Sequence, residues 1–315
     1  MTKTQPSVNL SLSKVFHLQL TFQPILKFPM FKTSANYLSM IKFSHTIFAL
    51  PFAIVGFFLA VYVEGHPLEW SKFLYVILCM IFARSSAMGF NRYIDREIDL
   101  KNARTAQREI PAGKISQTAA LWFVIISALA FVITTWFINL MCFCLSPVAL
   151  TVILGYSITK RFTALCHFVL GLGLSLAPIG AYLAVTGYFS VLPIIFSFIV
   201  LLWTGGFDII YALQDEEFDK SQNLHSIPAK TGRLKAMTIS NIAHSLTAIL
   251  VIVAGFYGKF HWLYWIGAIT FISLLFYQHR LVKPNDISKV DLAFMTTNGV
   301  ASLVFGIFVV ASLLV

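Results

Sequence analysis

Apolar runs of about 20 residues recur from near residue 37 to the C-terminus, and no other feature of the sequence constrains the fold so tightly. A helix of that length spans about 30 Å, the thickness of a bilayer's hydrocarbon core. Only 11% of the 315 residues are charged and 58% are hydrophobic, whereas a soluble domain carries roughly a quarter charged residues. A water-facing surface cannot be assembled from such a chain. A greasy soluble core would need one apolar helix after another with no polar face. The expected fold class is therefore an all-α integral-membrane bundle set in the lipid bilayer.

Nine spans are predicted, near 37–63, 70–94, 117–136, 139–157, 164–186, 189–214, 235–257, 260–278 and 291–314, so that residues 37–315 form one membrane domain. Charge tests that count. The loops that should share a side with the N-terminus hold Arg92, Arg96, Lys101, Arg104, Arg108 and Lys114, then Lys160 and Arg161, then Lys220, Lys230, Arg233 and Lys235, then Arg280, Lys283 and Lys289. The N-terminal segment adds Lys3, Lys14, Lys27, Lys32 and Lys42. Of the 23 Lys and Arg residues only Lys72 and Lys259 fall opposite, with Arg84 inside a helix. The positive-inside rule then places the N-terminus in the cytoplasm and the C-terminus outside; the expected location is the cell's inner membrane. Residues 1–36 read as a basic lead-in whose first 35 residues lack the arginine a transit peptide favours, with Met30 a second candidate start. The net charge of +10 belongs to these loops. No basic stripe on a soluble domain offers itself to nucleic acid. Cys79, Cys142, Cys144 and Cys166 fall in apolar stretches without zinc-site spacing and read as packing residues.

The acids are unevenly placed. Of 13 Asp and Glu residues, four (Asp95, Glu97, Asp99, Glu109) close the second span and five (Asp208, Asp215, Glu216, Glu217, Asp219) close the sixth. Acids beside lipid are costly and mark function, and ordinary loop charges would not leave the other loops so bare. In Asn91-x₃-Asp95-x₃-Asp99 the oxygen-bearing side chains recur every four residues, on one helical face with about 40° of drift per step. Asp215 and Asp219 repeat that spacing, with Tyr211 in the place of Asn91. Two facing oxygen-rich edges would form a clamp for a hard cation such as Mg²⁺. Basic residues follow each edge: Lys101, Arg104 and Arg108 before Pro111-Ala-Gly113, and Lys220 before Pro228-Ala-Lys-Thr-Gly232, about 117 residues on. Carboxylates for metal beside cations for phosphate point to diphosphate chemistry in a water-poor bundle.

Together these motifs resemble the UbiA superfamily of intramembrane aromatic prenyltransferases. The resemblance rests on Asn91-x₃-Asp95-x₃-Asp99, on Asp208-x₂-Tyr211-x₃-Asp215-x₃-Asp219, on the Lys101–Gly113 segment, and on Tyr156-Ser-Ile-Thr-Lys160-Arg161. It covers roughly residues 37–315. It implies a nine-helix bundle with its site on the cytoplasmic side, in which Asn91, Asp95, Asp215 and Asp219 hold Mg²⁺ and the diphosphate, with Asp99 supporting. Lys160 and one or more of Lys101, Arg104 and Arg108 would bind diphosphate oxygens. Asp208 and Tyr211 would face the acceptor or the reacting carbon, Asp208 as a proton acceptor, with Tyr156 also at the substrate. The partners implied are a polyprenyl diphosphate and an aromatic carboxylate acceptor.

Arg84, two turns before Asn91 on the same face, could hold an acceptor carboxylate, or could be a structural arginine bonded to backbone carbonyls. His45 reads as an interior polar residue, with the acceptor pocket as the alternative. Gly171, Gly173, Gly180 and Pro178 read as close-packing and kinking residues. Within the family, the His45–Pro51 and Leu224–Pro228 segments look most like the 4-hydroxybenzoate polyprenyltransferase branch of ubiquinone biosynthesis. A similar branch takes a naphthoate-type acceptor for menaquinone. A membrane transporter is the distant alternative, but transporters carry their charges near the bilayer midplane rather than at helix ends.

Overall fold

The computed structural model describes residues 29–315. Most of the basic lead-in, with Lys3, Lys14 and Lys27, lies outside the described residues, as do the side chains of Lys32 and His45. The chain divides into Met1–Ala35 and Asn36–Val315.

The described secondary structure is helical, apart from one isolated bridge between Lys283 and Asp286. The helices are α1 (Pro29–Met40), α2 (Leu50–Tyr62), α3 (Trp70–Ile94), α4 (Arg96–Lys101), α5 (Gln117–Trp136), α6 (Leu140–Thr159), α7 (Cys166–Thr186), α8 (Val191–Ala212), α9 (Glu216–Ser221), α10 (Ile227–Tyr257), α11 (Trp262–Leu281) and α12 (Asn298–Leu313). Among the described residues, seven helical segments are long and apolar enough to cross a membrane: those of α3, α5, α6, α7, α8 run on through α9, α10, and α12 with the π-helical turn before it. Thr46–Tyr62 is apolar but shorter. In α11, aromatic residues at the start and Gln278-His279-Arg280 at the end dilute the apolar run.

One span differs from expectation. The first predicted span, 37–63, is broken: α1 ends at Met40, Lys42 turns left-handed at φ 48°, and a 3₁₀ turn covers Phe43–Phe48 before α2. Pro51 in the first turn of α2 suits this restart, because a proline there gives up an N–H that has no partner within the helix. The expected seventh span, 235–257, matches the part of α10 after a kink at Gly232 to within a few residues; a short helical stretch from Ile227, capped by Ser226 Oγ accepting from the Ala229 N–H at 3.3 Å, precedes it.

Helices α2, α7, α8, α10, α11 and α12 pack as a closed ring, each against the next and α12 back against α2. Lipid tails are as apolar as the side chains, so close packing and interhelical hydrogen bonds hold the ring rather than exclusion of water. Gly56 of α2 lies against the backbone of Pro178 in α7, where a Cβ would strike the carbonyl. Gly171 meets the Leu201 carbonyl of α8 in the same way, whereas Gly173 and Gly180 make no such approach and line a cavity. Inside the ring, Trp203 contacts Phe207 and Phe271 at ring-centroid distances of 5.0 and 5.6 Å. Its indole N–H donates to Asn298 Oδ1 at 3.0 Å, which also accepts from Gln278 Nε2 at 2.6 Å. Such a buried link contributes about 1 kcal/mol in a membrane bundle.

Helices α3, α5 and α6 pack against one another and attach to the ring chiefly through α7. Between them and α7 lies an apolar cavity of about 360 Å³, lined by Met80, Arg84, Met88, Phe131, Leu145 and Tyr156 among others. One half of the bundle is solid and the other hollow.

Candidate active site

Both acidic segments form where a long helix breaks. Helix α3 stops at Ile94, Asp95 adopts φ −95°, ψ 5°, and the short α4 follows. Helix α8 stops at Ala212, a 3₁₀ turn runs to Asp215 at φ −101°, ψ 4°, and the short α9 follows. The sequence spacing suggested one continuous helical face in each. Instead the helices break at Asp95 and at Asp215, whose side chains form ion pairs rather than capping the short helices that follow.

Each of the four aspartates then meets a cation. Asp95 Oδ1 lies 3.0 Å from Arg161 Nη2, and Asp99 Oδ1 lies 2.6 Å from Arg108 Nη1. Asp215 receives Arg104 through two donors, Nε to Oδ1 at 3.1 Å and Nη2 to Oδ2 at 2.5 Å, and Asn102 Nδ2 at 3.1 Å. The fully buried Asp219 lies 2.7 Å from Lys160 Nζ. These contacts bring the C-terminal ends of α3, α6 and α8 to one place. Burial would lower Arg104, but its bond to Asp215 outweighs that and holds it above its ordinary pKa. Lys160 follows the same logic, with burial opposing and Asp219 winning. Burial raises Asp95 against the opposing bond from Arg161.

The expected clamp is thus spread over four ion pairs. Among the described residues, no three His, Cys, Asp or Glu side chains stand together closely enough to hold a metal ion. Four facing carboxylates would repel one another, and each takes an Arg or Lys instead. The donor set nevertheless fits Mg²⁺: it is all oxygen, and Asp99 Oδ2 is buried with no hydrogen-bond partner among the described residues. The cation partners are long side chains, 24–40% exposed.

Other expected residues fall around this cluster. Asn91 Nδ2 donates to Asp95 Oδ2 at 3.1 Å. The Tyr211 ring stacks on Phe294 at 4.1 Å, and its hydroxyl accepts from Arg104 Nη1 at 3.3 Å. Asp208, one turn earlier, accepts from His167 Nδ1 at 2.7 Å. Tyr156 and Arg84 line the cavity, with Arg84 Nη2 donating to the Lys42 carbonyl at 3.0 Å and its Nε without a partner among the described residues. Lys101 is exposed and stands apart from the four pairs. Sequence reasoning missed Asn102, Arg161 and His167. Arg161 stands next to Lys160 in a motif already noted, and a histidine in an apolar helix is itself a signal.

The model of the UbiA prenyltransferase family matches residues 49–300. The chain is 30% identical over 242 residues to the 4-hydroxybenzoate octaprenyltransferase of Aliivibrio fischeri (strain MJ11), covering 77% of this chain and 84% of that one. It is likewise 30% identical over 244 residues to the 4-hydroxybenzoate octaprenyltransferase of Marinomonas sp. (strain MWYL1), covering 77% and 85%. Among solved structures, the apo form of a UbiA homologue from Aeropyrum pernix K1 superposes with a TM-score of 0.74 at 27% identity, over 86% of this chain and 97% of that one. A UbiA homologue from Archaeoglobus fulgidus bound to GPP and Mg²⁺ shares the fold, with a TM-score of 0.67 at 19% identity over 89% and 100%.

Proposed function

Because the chain belongs to the UbiA prenyltransferase family, we propose that it transfers a polyprenyl group from polyprenyl diphosphate to an aromatic carboxylate, 4-hydroxybenzoate, with Mg²⁺, in quinone biosynthesis. The observation that carries this reading is the meeting of four aspartates and four cations at the α3, α6 and α8 ends, beside an apolar cavity. A Mg²⁺ ion held by Asp95, Asp99, Asp215, Asp219 and Asn91 would neutralise charge on the departing diphosphate. Arg104, Arg108, Lys160 and Lys101 would exchange their carboxylate partners for diphosphate oxygens, which favours cleavage of the allylic C–O bond. The cavity would take the prenyl chain and keep water from the carbocation. The half-free guanidinium of Arg84, with Tyr156 nearby, would orient the acceptor carboxylate. Asp208 and Tyr211 would face the ring being alkylated, Asp208 taking its proton.

In this reading α2 and α11 also cross the bilayer. That makes nine spans, with the site and the N-terminus on the cytoplasmic side of the inner membrane and the C-terminus outside. The basic loops support that orientation.

Membranes containing the protein, labelled polyprenyl diphosphate, Mg²⁺ and 4-hydroxybenzoate or a naphthoate give the direct test. The expected result is prenylated 4-hydroxybenzoate, lost with EDTA and in Asp95→Ala and Asp215→Ala. Product undiminished in both variants would overturn the carboxylate mechanism. Product only from the naphthoate would replace the acceptor and leave the mechanism standing.

A further inference from the structure

His167 opens α7 and is almost wholly buried, 3% exposed at its side chain. A polar ring in an apolar helix must find partners for both nitrogens. Nδ1 lies 2.7 Å from Asp208 Oδ2, and Nε2 accepts the Ile227 backbone N–H at 3.3 Å. The second contact fixes the tautomer, since a nitrogen that accepts carries no proton. The imidazole proton therefore sits on Nδ1 and is given to Asp208.

A plain cross-tie between α7, α8 and α10 would explain burial but not the asymmetry at Asp208. Its Oδ2 is taken by His167, no hydrogen bond to Oδ1 occurs among the described residues, and the side chain keeps 23% exposure. Asp208 also precedes by one turn the Tyr211 hydroxyl that Arg104 touches. The carboxylate is gripped through Oδ2, while Oδ1 is left without a hydrogen bond among the described residues.

We infer that His167 is a positioning residue, which holds Asp208 as a carboxylate and turns its open oxygen toward the acceptor ring. This inference rests on the prenyl-transfer reading. In the step concerned, the allylic C–O bond breaks and the diphosphate departs with its electron pair, while a bond forms between the prenyl carbon and a ring carbon. That ring carbon then releases its proton to Asp208 Oδ1, and the C–H electron pair restores the aromatic sextet. No further reactant is needed. His167 touches no reacting atom; its N–H favours the ionised carboxylate and fixes its direction.

Two isosteres separate this role from a structural one. Asn at 167 places an amide nitrogen where Nδ1 stands, and Gln places one where Nε2 stands. In the purified full-length enzyme, His167→Ala is expected to lower kcat about 10- to 100-fold with both KM values little changed, part of the contribution of a positioned base. His167→Asn should restore most of the rate and His167→Gln should not. An acceptor deuterated at the alkylated carbon should react at the wild-type rate with the native enzyme, and more slowly than the protiated one with His167→Ala or His167→Gln. If Ala fails to fold, the contrast between Asn and Gln still decides. Equal rates for Asn and Gln, or no isotope effect in any impaired variant, would overturn the positioning role. Wild-type enzyme that prenylates no acceptor would overturn the parent reading, and this one with it.

Discussion

The two acidic segments are built alike but partnered differently. Each breaks a long helix at an aspartate with nearly the same dihedrals, φ near −100° and ψ near 5°, and starts a six-residue helix carrying the next aspartate. The first segment draws Arg108 from its own loop and Arg161 from the end of α6. The second draws both cations from elsewhere, Arg104 from the loop after the first segment and Lys160 from α6. Its aspartates are also the more enclosed, at 12% and 0% side-chain exposure against 22% and 7%. The position of Asn91, bonded within its own segment, is taken by Tyr211, stacked on Phe294 and touched by Arg104. The second segment is thus the hub on which the first segment's loop closes.

The comparison is sharpened most by removing charge from each side in turn. Asp215→Asn and Asp219→Asn should lower prenyl transfer by about 10²- to 10³-fold, the scale of losing one preorganised charge partner in a transition state. Asp95→Asn, in the more open segment, should fall measurably less. Equal losses in all three would dissolve the distinction between hub and closing loop. Next in size is Arg104→Lys. Arg104 grips Asp215 with two donors and lies over the Tyr211 ring at 5.5 Å, whereas Arg108 reaches Asp99 with one. A lysine reproduces the charge but not the fork. Arg104→Lys should therefore cost about tenfold in kcat/KM, roughly 1.4 kcal/mol, with Arg108→Lys closer to wild type.

Much of this pairing was invisible in the sequence, for physical reasons. The acids themselves were legible, because Asp and Glu in so apolar a chain stand out against lipid. The membrane-helical fold was legible from run length for the same reason. The breaks at Asp95 and Asp215 were not, since a four-residue spacing suits an unbroken helix equally well. Pro51 did announce the restart of α2, yet the apolar run through it outweighed that signal. Which cation meets which acid depends on how α6 lies against α3 and α8, a tertiary fact that spacing cannot encode. The cavity was illegible too: Met80, Phe131 and Leu145 line empty space with the same side chains that fill the solid half.

A smaller effect tests the comparison through stability rather than rate. Removing Lys160 leaves the Asp219 charge fully buried, whereas removing Arg161 leaves Asp95 partly in water. An uncompensated buried charge is far costlier than a lost surface pair. Lys160→Met should destabilise the detergent-solubilised protein by about 1–3 kcal/mol, and Arg161→Met by about 0–1 kcal/mol. Adding Asp219→Asn to Lys160→Met should recover most of the loss, because the neutral amide no longer needs a counter-ion. If thermal melts of the two single variants coincide, the burial difference carries no energetic weight.

A stability effect of similar size concerns the glycines that follow the segments. Gly113 and Gly232 both have positive φ, 69° and 76°, and a Cβ at either would meet no neighbour within 4 Å. Any cost of substitution is therefore backbone strain alone. At Gly232 ψ is 166°, a region open in practice only to glycine, where the chain bends inside α10. Asparagine tolerates the left-handed helical region but not this one. Gly232→Ala and Gly232→Asn should thus each lower stability by about 1–3 kcal/mol, with asparagine giving no relief over alanine. Relief by asparagine in a thermal melt would mean that the bend relaxes to an ordinary left-handed turn.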